Sequence, residues 1–278
     1  MSAPDEIAYR SGEALFSFRR TGAMILRHWY VLRGSVPRIL ELAYWPAVQM
    51  LTWGFMTEFL VRQTTYVAQA FGVLLAAVLL WDVLFRSQLG VSISFLEEVW
   101  ARNLGHLFIS PLRPLEMVAA LIAMSGLRTI IGVLPAVVMA ALFFGFNLAS
   151  LGLPLVAFLI LLGVMGWAVG LAISGLIMRY GQSVETLAWA LTFALAPVSG
   201  IYYPVSVLPA WLQPLSWALP SSYVFEGMRE ILRDHRVPYG LMWQGGLLDA
   251  LYLVAGILAF LGFFRAARER GLLLKTGE

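Results

Sequence analysis

Between Pro197 and Tyr223 the chain is apolar enough to enter a membrane, yet Pro197, Pro204, Pro209, Pro214 and Pro220 interrupt it. Proline removes an N–H donor and clashes with the preceding turn, so no single regular helix runs through this stretch. Backbone groups released in that way have no partner in lipid. The segment must therefore dip in and turn back, line a cavity, or pack on other helices. A long apolar run precedes it, and a charged patch from Glu226 to Arg233 follows.

The rest of the chain explains why lipid is the solvent that matters. Hydrophobic residues make up 60% of the 278 residues and charged residues 13%, with a mean hydropathy of +0.80. Several runs reach the roughly 20 apolar residues that a helix needs to cross a bilayer. The expected fold is all-α: a polytopic membrane protein with six transmembrane helices. These are read at about 40–61, 67–86, 116–146, 152–178, 184–202 and 244–264. The third is long, since about 31 helical residues extend roughly 46 Å. Its Arg128 then lies near an interface, where snorkelling or pairing with an acid is the plain reading and a substrate contact the sharper one. The first 38 residues lack the apolar core of a cleavable signal, so the first span is expected to act as its own targeting signal.

Arginine placement orients the spans. Arg10, Arg19, Arg20, Arg27, Arg33 and Arg38 precede the first, and Arg86, Arg102 and Arg113 lie between the second and third. Arg179 follows the fourth, and Arg265, Arg268, Arg270 and Lys275 follow the last. All of these share one side, leaving Arg62, Arg229, Arg233 and Arg236 on the other. Both termini are therefore expected in the cytoplasm. The expected organisation is a cytoplasmic N-terminus over 1–38, a six-span domain over 39–264 and a cytoplasmic tail over 265–278.

Residues 14–33 read as an interfacial amphipathic helix. Phe18, Ile25, Trp29 and Leu32 fall on one face and Arg19, Arg20 and Arg27 on the other, a pattern that lies along a charged membrane surface. A plain basic arm is the alternative. In the fourth span the spacing of Gly166, Gly170 and Ser174 lets a neighbouring helix approach closely, within the subunit or across a dimer seam.

Two constellations could carry function. In the connection over 94–110, a helical reading groups Phe95, Leu96, Val99, Trp100 and Leu107 on one face and Glu97, Glu98 and Arg102 on the other. Glu98 and Arg102 stand at i,i+4, worth a few tenths of a kcal/mol. Such a helix docks in a partner's groove or rests on the membrane surface. The second constellation is the proline-broken segment with Tyr202, Tyr203, Trp211, Trp217, Tyr223, Glu226 and Arg229. Its aromatics suit a membrane interface, or a lining that stacks on an amphiphile.

Enzyme signatures are poor. The chain has no cysteine, hence no disulfide or thiolate site. His28, His106 and His235 lie in separate segments with no metal-ligand spacing. Glu41, Glu58, Asp82, Glu185 and Asp249 lie in or near spans, mostly towards their ends. No phosphate-cradling Gly-Lys-Ser/Thr loop occurs, so any ATP-driven action needs an ATPase on another chain.

Three strings before the last span, Ser199 to Pro204, Leu208 to Leu212, and Leu219 to Arg229, carry Gly-aromatic-Pro, Leu-Pro-x-Trp-Leu and Pro-x-x-Tyr-x-x-Glu-x-x-Arg patterns. Together with an amphipathic start and six spans, they resemble the ABC type-2 exporter permeases, which include drug, nodulation-factor and polysaccharide export permeases. Arg27 to Arg33 and Glu41 to Pro46 look closer to the drug and nodulation-factor branch. The loop from Glu97 to Leu112 resembles the family's coupling segment, although Asn103, Leu104, Gly105 and His106 depart from its usual string.

The resemblance implies a bacterial inner-membrane transport subunit rather than an enzyme. It implies a homodimer working with two separate ATP-binding subunits. No cofactor is expected in this chain, and ATP and Mg would sit in the partner. Membrane lipids are expected around it, and no nucleic acid. Phe95, Glu97, Glu98, Trp100, Arg102 and Leu107 would couple to the ATPase. A re-entrant pair of short helices over 203–222 would form an outer gate with Tyr202, Tyr203, Trp211, Tyr223, Glu226 and Arg229. The cargo is expected to be a lipid, glycolipid or hydrophobic small molecule. The alternatives are an intramembrane lipid- or prenyl-modifying enzyme and an ion-coupled transporter.

Overall fold

The computed structural model describes residues 16–63 and 71–269. The first residues of the expected second span, Arg10, Arg270 and Lys275 lie outside them. The described residues form helices and no strands, as expected. In chain order the helices are α1 (Phe18–Arg33), α2 (Val36–Gln63), α3 (Phe71–Trp100), α4 (Leu104–Ile109) and α5 (Pro114–Phe144). They continue with α6 (Pro154–Tyr180), α7 (Glu185–Leu195), α8 (Gln213–Trp217), α9 (Pro220–Asp234) and α10 (Tyr239–Glu269).

Four helices, α3, α5, α6 and α10, are long and apolar enough to cross a membrane. The 28-residue α2 is long enough but less apolar. Hydropathy ends the second span at Arg86, but α3 continues as one helix to Trp100. Its second half is polar and still buried, because neighbouring helices satisfy it. Arg86 pairs with Asp82 one turn earlier at 2.9 Å. Ser125 Oγ on α5 donates to the Ser87 carbonyl at 2.7 Å. Gln88 Nε2 donates to the Ala188 carbonyl on α7 at 3.0 Å, and Gln88 Oε1 accepts from Thr192. Hydrogen bonds of this kind let polar residues sit inside a membrane bundle.

The expected fifth span at 184–202 is also different. Only Glu185–Leu195 is α-helix, 11 residues long. That is about 16 Å, half the roughly 30 Å hydrocarbon core. The chain then turns at Gly200, whose φ of +68° is left-handed and suits a residue without a Cβ.

α3 lies at the centre. On α6, a Cβ at Gly166 or Gly170 would lie 2.7 Å from the backbone carbonyls of Leu84 or Gln88 on α3. The small-residue stripe therefore packs within the subunit. α6 and α10 run parallel and touch at Ala168 and Gly256. One apolar core gathers Trp81, Phe158, Phe225 and Met228; a second gathers Phe95, Leu171 and Phe260. α1, the C-terminal end of α3 and the start of α5 meet at one end of the bundle. The proline-broken segment and α9 close the other.

The face that α1 buries is rotated from the expected one. Thr21, Met24, His28 and Leu32 point inward, while Phe18 is 86% exposed. The shift follows from charge: Arg20 and Arg27 flank the inward stripe and reach buried carboxylates instead of water.

Candidate functional site

At the α1 end, three carboxylates from α3 and α5 gather the arginines of their neighbours. Glu116 is fully buried and accepts from Arg20 Nε and Nη2 and from the backbone N–H groups of Ser17 and Arg113. It thereby ties the N-terminus of α1 to the first turn of α5. Glu98 pairs with Arg27 at 2.5 Å and accepts from Asn103 Nδ2 at 2.9 Å. Glu97 pairs with Arg128 of α5 at 2.7 Å and with Arg38 of α2 at 3.3 Å. Arg128 thus takes the plain reading, paired with an acid.

His28 is buried beside Glu97 and Glu98, at 3.9 and 3.7 Å. Burial, then the positive charge of Arg128 and of Arg27, push its pKa from 6.5 down to about 4, against the pull of Glu97. The imidazole is neutral at pH 7, so these are contacts between a neutral ring and two carboxylates, not ion pairs. The unfolded chain takes up this proton near 6.5 and the folded chain only near 4. The preference for the folded state is thus complete above pH 6.5 and is lost as pH falls toward 4. Thermal stability in detergent should fall across that window, and less steeply in a His28→Gln variant. An unchanged slope in the variant would remove His28 as the source.

Of the residues expected to face an ATPase, the structure brings only some to the surface. α3 ends at Trp100 and α4 starts at Leu104, so the segment is two helices rather than one. Phe95 is fully buried, edge-on to Phe260 at 6.0 Å. Glu97 and Glu98 face inward, and Leu107 packs against the second core. Trp100 is 46% exposed, and Arg102 is exposed with a left-handed φ of 53°. Among the described residues Arg102 makes no ion pair, so the expected Glu98–Arg102 pair is replaced by Arg27.

Beside Glu97 opens a cavity of about 460 Å³ between α2, α3, α5 and α7. Trp45, Phe85, Trp100, Trp189 and Phe193 line it. The volume lies within the range of small-molecule sites. The charge pattern marked Glu41 and Glu185 as near-membrane acids, but nothing in their spacing joined them across 144 positions; α2 and α7 bring both to this wall.

At the opposite end, Glu226 and Arg229 act as a clamp. Glu226 accepts the Val205 N–H at 2.6 Å and pairs with Arg229 at 3.5 Å. Arg229, 5% exposed, donates to the carbonyls of Gly200 and Ile201. These are backbone groups that the prolines leave without helix partners, and α9 supplies the donors. The broken segment holds a 3₁₀ turn, Val205–Val207, and the short α8. Tyr203 donates to the Pro197 carbonyl at 2.7 Å, and Tyr223 packs edge-on to Trp217 at 5.1 Å. Tyr202 stacks on Trp53 of α2 at 5.1 Å, and Trp211 is 78% exposed.

The sequence model of the ABC-2 type transporter family matches residues 29–232, from within α1 to near the end of α9. The chain belongs to the ABC-2 type transporter family. It is a multi-pass membrane protein and a permease subunit of an ABC transporter. Members of the family generally pair with an ATP-binding subunit. No curated protein matches this chain significantly.

Proposed function

We propose that this ABC-2 permease is the membrane subunit of an ATP-driven exporter in a bacterial inner membrane. Its termini are cytoplasmic, and two copies work with two ATP-binding subunits that hold ATP and Mg. The cargo is amphiphilic. The observation that carries the coupling part is Trp100. It is exposed at the end of α3 and also forms part of the cavity wall. Three residues earlier, Glu97 ties α3 to α2 and α5 through Arg38 and Arg128. A subunit pressing on Trp100, Arg102 and α4 would move the helix that carries the cavity's ion pairs. Tyr202, Trp211 and Tyr223 then belong to the outer end of the path, with Glu226 and Arg229 holding its backbone. Exposed aromatics on α2 and α7, among them Tyr44, Phe55 and Phe193, support a second copy on that face. An ion-coupled mechanism would find its one buried, unpartnered carboxylate among the described residues in Asp249.

Co-purification tests the reading. The chain alone should not hydrolyse ATP and should do so when co-expressed with its ATP-binding subunit. Trp100→Ala removes an aromatic anchor of the kind that costs about 2 kcal/mol at an interface. Assembly should weaken while membrane insertion stays intact. ATP hydrolysis by the chain alone, or unchanged assembly and stimulated hydrolysis in Trp100→Ala, would overturn the proposal.

A further inference from the structure

We propose that the cavity beside Glu97 binds an amphiphile with a cationic head; this names the charge class of the cargo and rests on the permease reading. The wall presents Arg38, Arg86 and Arg128 together with Glu41, Glu97 and Glu185. Its cations are already engaged: Arg128 and Arg38 with Glu97 at 2.7 and 3.3 Å, and Arg86 with Asp82 at 2.9 Å. Glu41 and Glu185 are different. Among the described residues neither makes an ion pair or a side-chain hydrogen bond. Three cations therefore face four carboxylates once Asp82 is counted, and the two carboxylates without partners border open space.

The neighbours of those carboxylates point the same way. Trp45, Trp100 and Trp189 line the wall, and a cation is drawn to an indole face as well as to a carboxylate. Phe85 and Phe193 supply an apolar bed for the body of the molecule. Arg128 Nε is buried without a hydrogen-bond partner, a donor that an oxygen on the head, or water, satisfies. Each arginine of the wall already has a carboxylate partner, so an anionic head would meet the uncompensated charge of Glu41 and Glu185, and a low-dielectric wall strengthens that repulsion.

The test uses two ions of equal size and opposite charge. The full chain is placed in phosphatidylcholine nanodiscs, and saturable binding of tetraphenylphosphonium and of tetraphenylborate is measured by equilibrium dialysis against empty nanodiscs. Tetraphenylphosphonium should bind saturably and tetraphenylborate should not. The near-isosteric pair Glu41→Gln and Glu185→Gln, together, should weaken the cation by about tenfold or more, which is about 1.4 kcal/mol. Thermal unfolding checks that the variant is folded. Equal binding of both ions, no saturable cation binding, or an unchanged affinity in a folded double variant would overturn the inference. Proteoliposomes that also contain the ATP-binding subunit separate the two readings. Cation binding without ATP-driven movement would remove the exporter reading and leave the site. ATP-driven movement of another cargo by a permease that binds no cation would remove this inference alone.

Discussion

Glu116→Ala should cost the folded protein about 3 kcal/mol, near the low end for breaking a buried ion pair, and should loosen α1 before the rest. The carboxylate is fully buried and is the common acceptor for Arg20 and for two backbone N–H groups, at the start of α1 and of α5. The low end applies because the Arg20 side chain keeps 18% of its exposure and regains part of its hydration when the pair breaks. Trypsin should cleave at Arg19, Arg20 or Arg27 well before the bundle unfolds, and the thermal midpoint in detergent should drop. Arg62→Ala is the control. Its pair with Glu58 is 2.6 Å long, but the two side chains are 76% and 43% exposed, so it should change stability by no more than about 0.5 kcal/mol. Equal effects of the two substitutions would mean that the buried network does not anchor α1.

What the sequence makes legible here is chemistry that has to be satisfied locally. Five prolines in an apolar stretch announce a broken segment, and Glu226 three residues before Arg229 announces its clamp. The Gly166, Gly170 and Ser174 spacing announces a close helix contact. Each needs only the residue types and their spacing. The misread elements have the opposite character, because their polarity is satisfied by parts of the chain far away. Ser87, Gln88 and Glu98 look like the start of a loop until α5, α7 and α1 arrive to pair with them. Arg20 and Arg27 look like a solvated face for the same reason. A hydropathy window measures a residue against solvent, and in this bundle the partner is another helix.

The cavity was illegible on similar grounds. Glu41 and Glu185 belong to α2 and α7, and only the packing of both helices on α3 makes them neighbours of one space. The short α7 is held there by Gln88 reaching Ala188 and Thr192, contacts with no pattern along the chain. A span expected at 184–202 would have carried the chain straight across. The α-helix there instead ends after 11 residues, and the chain turns at Gly200 into the broken segment.

Gly256→Leu should have the largest effect of any single substitution on α10. A Cβ at Gly256 would lie 2.5 Å from the Ala168 carbonyl oxygen and 2.9 Å from its Cα, closer than real side chains approach backbone. The obstacle is the backbone of α6, which cannot swing away as a rotamer can. The helices would have to separate along a seam that also carries Gly175 against Phe263 and Gly245 beside Leu161. Leu247, Leu251, Val254 and Leu258 face outward and add nothing to that seam. The cost should exceed about 3 kcal/mol, the upper end for overpacking a well-filled contact. The readout is loss of the monodisperse peak on size exclusion, with any surviving protein melting well below the parent. Gly262 lies on the same helix with nothing within 4 Å of its Cβ position, so Gly262→Leu should leave both measurements nearly unchanged. A folded, normally melting Gly256→Leu protein would show that α6 and α10 do not touch at Ala168.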